Sequence, residues 1–128
     1  MEKSIELKID IGKYKYVDLG LNEACNIIEL AIEKRGETED LLEALRYIRN
    51  FDEFYSFMKK KFKDFITPPK SSKDLILGRV VIDKIKLYKI NDERRVVIVF
   101  DRRVDLDFIK ELLENIGYKR IKISKQVF

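Results

Sequence analysis

Acidic residues at the end of an apolar run are the first candidates for chemistry in this chain. Phe100-Asp101-Arg102-Arg103-Val104-Asp105-Leu106-Asp107 puts Asp101 where a central strand should end, with two more carboxylates just beyond it. Carboxylates so grouped can hold Mg²⁺ for phosphoryl transfer. Two of the three already have a local purpose. Asp105 is placed to cap the helix that follows, and Asp107 falls in its first turn, where the helix dipole favours negative charge. Glu6-Leu7-Lys8 has the acid-x-Lys spacing of a metal-dependent nuclease strand, but no suitable acid precedes it, so the ligand set is incomplete and no metal is expected. Arg102 and Arg103 remain, as guanidinium forks suited to phosphate or carboxylate.

Nucleophilic chemistry finds still less. Cys25 is the only cysteine and the chain has 0 His, which removes the commonest activating base and the commonest metal ligand together. Cys25 lies on the apolar face of a helix and reads as a small buried hydrophobe. The 5 glycines are isolated, so no phosphate-cradling loop of the Walker type occurs. These absences lead us to expect a non-enzymatic protein without a cofactor.

Binding is better supported than catalysis. Lys8 falls on the solvent side of the first strand and Arg120 and Lys122 on that of the last, while Lys84, Lys86 and Tyr88 share one side of a long middle strand. Were these strands neighbours, the lysine and arginine heads would neutralise phosphates and Tyr88 could stack on an unpaired base. The expected nucleic-acid-binding set is therefore Lys8, Lys84, Lys86, Tyr88, Arg102, Arg103, Arg120 and Lys122, for RNA or DNA or a nucleoprotein complex. A plainer reading competes with it: any sheet with one wet face needs polar residues there. Met58-Lys59-Lys60-Lys61-Phe62-Lys63 is a second basic segment, read as lysines flanking a core-facing helix.

Charge is unevenly laid out along the chain. From Asp18 to Glu43 eight acids face only Lys34 and Arg35, whereas from Lys59 onward 19 Lys or Arg oppose 10 Asp or Glu, within an overall net charge of +4. That dipolar layout favours a basic surface for polyanions. Abundant Ile, Lys and charged residues with a lone glutamine resemble hyperthermophile composition, which suggests an archaeal or archaeal-viral source. No apolar run is long enough for a membrane span and the opening residues lack a signal-peptide core, so we expect a cytoplasmic protein without a membrane partner. The alternative function is a protein–protein interaction module, such as a subunit, adaptor or inhibitor (a viral anti-defence protein among them), docking through its acidic or aromatic helices. A homodimer through the edge of an N-terminal hairpin is also considered.

These side chains need a scaffold, and hydrophobic periodicity supplies one. Ser4–Ile11 alternates with Ile5, Leu7, Ile9 and Ile11 on one side, and Gly12-Lys13 turns the chain into a second strand, Tyr14–Val17. A helix capped by Asn22 should run to Arg35 with Ala24, Cys25, Ile28, Ala31 and Ile32 inward, ending at Gly36. Thr38 should cap a second helix burying Leu41, Leu42, Leu45 and Ile48, and a third, from about Asp52, should carry Phe54, Tyr55, Met58, Phe62 and Phe65. Residues 66–73, with paired prolines and serines, read as an exposed connection within one domain spanning 1–128. Leu75–Ile90 reads as strand broken near Gly78 or Asp83, then come a turn at Asn91-Asp92-Glu93 and a strand Arg95–Phe100. A helix follows with Leu106, Ile109, Leu112, Leu113 and Ile116 inward, and Arg120–Ser124 is the last strand. The expected fold is α+β, a mainly antiparallel sheet with helices packed on one face, in the order β-β-α-α-α-β-β-α-β. Its C-terminal β-β-α-β run is compatible with part of a ferredoxin-like arrangement.

Overall fold

A computed structural model describes residues 3–125. Alternation in the first strand ends earlier than the apolar pattern suggests. β1 (Lys3–Ile9) stops because Asp10 reverses the chain: its carbonyl accepts from Lys13 N–H at 3.0 Å and its Oδ1 accepts from Tyr14 N–H at 3.0 Å. Lys13 takes a left-handed φ of 68°, and Ile11 is left 72% exposed in the turn rather than on the core side. β2 (Lys15–Gly20) returns beside β1.

Gly20 precedes α1 (Leu21–Arg35), which begins one residue before the expected Asn22 cap and has no side-chain cap. It buries Ala24, Ile27, Ile28 and Ala31 and ends at Gly36, whose φ of 89° suits glycine. Thr38 caps α2 (Glu39–Arg49) as expected, its Oγ1 accepting from Leu41 N–H. The α2 core face is Leu41, Ala44, Leu45, Tyr47 and Ile48, while Leu42 is exposed, one step off the 3.6-residue stripe. Asn50 separates it from α3 (Phe51–Lys60), a short break rather than one continuous helix. The aromatic stripe does not run on as expected: the helix stops at Lys60, Phe62 takes φ 53° and is 95% exposed, and Phe65 lies beyond the helix.

In the connection at 66–73, Thr67, Pro69, Ser72 and Lys73 are exposed, while its other residues tie it to the fold. Ile66 exchanges backbone hydrogen bonds with Ile85 at 2.8 and 2.9 Å, Pro68 is buried, and Lys70 Nζ donates to the carbonyl oxygens of Pro68 and Asp83. A short helix, α4 (Ser72–Ile76), capped by Ser71, replaces the start of the expected strand. Leu75, Ile76 and Leu77 are consequently exposed. β3 (Ile82–Ile90) has a register irregularity at Asp83, as the sequence suggests, and joins β4 (Glu93–Phe100) through Asn91 and Asp92, at φ 50° and 66°. Two consecutive left-handed residues give the tight hairpin turn that Asn and Asp tolerate best. Asp105 caps α5 (Leu106–Asn115), and Gly117 at φ 111° leads into β5 (Tyr118–Lys125).

The five strands form one sheet in the order β3-β4-β2-β1-β5, antiparallel except for the β1–β5 pair. The fold is α+β, with one more helix than the sequence pattern suggests. Leaving β1 aside, β2 to β5 with α1 and α5 follow the strand order of a split β-α-β-β-α-β unit, and β1 is inserted between β2 and β5. The N-terminal hairpin is therefore interior, and the sheet edges are β3 and β5. One face of the sheet, with Leu7, Val17, Leu19, Ile85, Leu87, Val96, Ile98 and Phe100, packs under α1, α2 and α5 into a single buried cluster. The other face carries no helix-packed core.

Candidate nucleic-acid interface

Strand parity fixes which side chains reach the uncovered face. Apolar Leu7 and Val17 turn to the core, so Lys8, Tyr16 and Asp18 turn outward, and register then aligns the neighbours. One transverse row reads Ser124, Lys8, Tyr16, Val99 and Lys84 across β5-β1-β2-β4-β3. The next holds Lys122 opposite Glu6 at one side and Asp18, Val97 and Lys86 at the other. A third brings Arg120 opposite Ser4, and Gly20, Arg95 and Tyr88 into line. Lys8, Lys84, Lys86, Tyr88, Arg120 and Lys122 thus share a face, the juxtaposition on which the sequence argument depends.

The face is not uniformly basic. Glu6 accepts from Ser124 Oγ at 2.6 Å and lies 3.6 Å from Lys8 Nζ. The Ser124 hydroxyl, with help from Lys8 and Lys122 and against a small burial cost, holds its carboxyl below the usual range. Asp18 takes a hydrogen bond from the Tyr88 hydroxyl and one from Arg95 Nε at 3.1 Å, while Arg95 also pairs with Glu93 at 3.1 Å. Burial and the Asp18 charge push the Tyr88 phenol up. Burial works against the Arg95 charge, but the Glu93 and Asp18 carboxylates more than offset it and raise its pKa. Tyr88 is therefore part of a closed polar network and is a poorer stacking platform than the sequence suggests.

Lys84 and Lys86 are placed differently. Lys84 Nζ sits 4.4 Å from the Phe65 ring centroid and Lys86 Nζ 5.8 Å from that of Tyr88. Among the described residues neither has a carboxylate within ion-pair distance. Between them and the β1–β2 turn lies a groove of about 320 Å³, floored by Val97 and Val99 and walled by Tyr14, Tyr16, Phe65 and Asp10. The three rings were not among the expected site residues. Tyr16 was detectable in principle, because the parity that turns Lys8 outward also turns Tyr16 outward. Phe65 was hidden by assignment to the third helix; the backbone pairing of Ile66 with Ile85 is what delivers it to the edge of the sheet.

Arg102 and Arg103 stand apart from this face, in the β4–α5 loop at the end of the sheet. Arg103 donates to Asp101 Oδ1 and to the Leu75 carbonyl, and both arginines border a shallow depression with Ile11, Gly12 and Lys13. Lys15 Nζ ties that loop to β2 through the carbonyls of Arg102 and Val104, at 3.2 and 2.9 Å. Cys25 is half-buried, and burial, together with the Glu29 charge and against Arg49, pushes its thiol up. Among the described residues no group of three or more His, Cys, Asp or Glu is arranged to hold a metal, and no helix is long and apolar enough to cross a membrane. No protein-family profile, curated protein or solved structure matches the chain.

Proposed function

We propose that this is a small non-catalytic protein that binds nucleic acid through the uncovered face of its sheet. The observation that carries the reading is the pair Lys84 and Lys86, held against aromatic rings with no carboxylate partner among the described residues and beside a groove in the same surface. Lysines in that position are available to phosphates, and Lys8, Arg120 and Lys122 add positive charge across β1 and β5, offset in part by Glu6, which lies 3.6 Å from Lys8. The acids of α1 and α2 belong to the helical layer, where Glu29 pairs with Arg49 and Glu43 with Arg46, so they do not oppose a polyanion at the sheet. The test is a gel shift against single- and double-stranded RNA and DNA, with Lys84, Lys86, Arg120 and Lys122 changed together to Glu. Loss of the shift in that variant supports the reading, as does a parent affinity falling with a log–log salt slope of about −0.7 to −0.9 per phosphate contacted. Retained binding moves the site elsewhere.

A protein-docking module is the second reading. The observation that favours it is the outward turn of Leu75, Ile76 and Leu77, with Ile76 83% exposed. Association through such residues would be far less sensitive to salt than phosphate binding.

A further inference from the structure

We propose that the groove between the β1–β2 turn and β3 is a stacking seat for an unpaired nucleobase, which makes the protein selective for single strands. This rests on the nucleic-acid reading above and narrows it to one class of ligand.

Tyr16 stands on β2 in the same transverse row as Val99 and Lys84, and Phe65 closes that row at the β3 edge. Tyr14 walls the side nearer the turn, fixed by the hydrogen bonds that Asp10 gives and takes around it. Valines rather than charges make the floor. A flat heteroaromatic ring gains from such a surface, because every base presents a π-face and because rings and valines exclude water from it. At about 320 Å³ the space lies at the small end of ligand sites, the scale of one ring system.

The electrostatics select the same ligand. Lys84 and Lys86, two residues apart on β3, line one side of the groove and would meet successive phosphates of a strand whose base is seated there. A neutral aromatic metabolite would leave both ammonium groups unused, and a duplex would present phosphates but no base face. A strand with exposed bases satisfies rings and lysines together. Among the described residues Asp10 is the one acid at the rim, and it already accepts from Tyr14 N–H through Oδ1. Tyr88 does not line the groove; it lies in the neighbouring polar network, where its hydroxyl donates to Asp18.

The test uses labelled strands of about ten nucleotides, in the size range of single-strand sites. Four probes are compared by fluorescence anisotropy at about 50 mM salt: single-stranded RNA, single-stranded DNA, a duplex, and an abasic strand with sugar and phosphate only. The parent should bind at least one intact single strand roughly tenfold more tightly than the abasic strand or the duplex. Tyr16→Leu combined with Phe65→Leu should erase that advantage, bringing the intact strand down to the affinity of the abasic one in the same variant, with the salt slope retained. The chain has 0 Trp, so tyrosine emission is directly visible and should be quenched by the intact strand but not by the abasic one. If the double variant does not fold, Phe65→Leu alone, outside the strands and half-exposed, carries the same comparison. Equal binding of intact and abasic strands, a preference for duplex, or full affinity in the leucine variants would overturn the stacking seat and leave phosphate binding standing. An absence of binding to all four probes would overturn the nucleic-acid reading as a whole.

Discussion

Asp18 shows how one side chain can hold the uncovered face back. It engages Arg95 and the Tyr88 hydroxyl together, so it neutralises a cation that would otherwise add to the proposed phosphate-binding face. Asp18→Asn should tighten nucleic-acid binding by a few-fold at low salt, with the gain shrinking as salt is raised; titrations at two ionic strengths decide it. Tyr118 offers a separate test by pH. Its hydroxyl donates to Glu23 Oε1 at 2.8 Å, and Lys3 also pairs with that carboxylate. Burial first, then the Glu23 carboxylate, pushes the Tyr118 phenol up, so its contribution to stability is complete below about pH 10 and is lost as pH rises further. Glu23 runs the other way. Burial opposes its ionisation, but Lys3 and Tyr118 hold its carboxyl below the usual range, so that contribution is present above about pH 4.5 and falls away on acidification. Tyr118→Phe should cost about 1 kcal/mol near neutrality and flatten the alkaline limb of a urea-midpoint against pH plot. The raised Cys25 thiol should be alkylated more slowly at neutral pH than a free cysteine, as a timed thiol assay would show.

Elements in this protein are tied together by polar groups that the periodicity of apolar residues does not reveal. The clearest is Asp40, fully buried in the first turn of α2, whose Oδ2 accepts from the N–H groups of Val81 and Ile82 at 2.9 and 2.8 Å. That carboxylate fixes where the chain enters β3, and its other oxygen has no hydrogen-bond partner among the described residues. Asp40→Ala should destabilise by about 2–4 kcal/mol because it strands two buried donors, whereas Asp40→Asn, which keeps an acceptor, should cost less; chemical denaturation separates them. The sequence pattern made the strands and four of the helices legible, since alternation and the 3.6-residue repeat report burial directly. The caps Thr38 and Asp105 and the stop at Gly36 were legible for the same local reasons. Asp40 stands in the first turn of α2, where the helix dipole alone would account for an acid, and its long-range role needs the neighbouring loop to be seen. Leu75, Ile76 and Leu77 looked like strand because their apolar run is too short to distinguish period 2 from period 3.6. Phe62 and Phe65 looked like helix for want of a breaker after Lys60. Half the expected binding face could be placed by parity within each strand, but the alignment of one strand against another is non-local and came only with the fold.

At the scale of the whole molecule, the parallel pairing of β1 with β5 joins Ile5 to Ile121 and Leu7 to Ile123, so the sheet is completed by segments from opposite regions of the sequence. Contacts so distant along the chain carry a large loop-closure cost and slow folding. During synthesis β1 can pair with β2 early, yet its other side stays bare until Tyr118–Lys125 has emerged. A newly made chain therefore passes through an interval in which β1 offers unsatisfied amides and carbonyls to any passing strand. Its Lys3, Glu6 and Lys8 charges are the only guard over that interval among the described residues of the strand. Nascent copies crowded on one messenger would be the setting in which that guard is needed most.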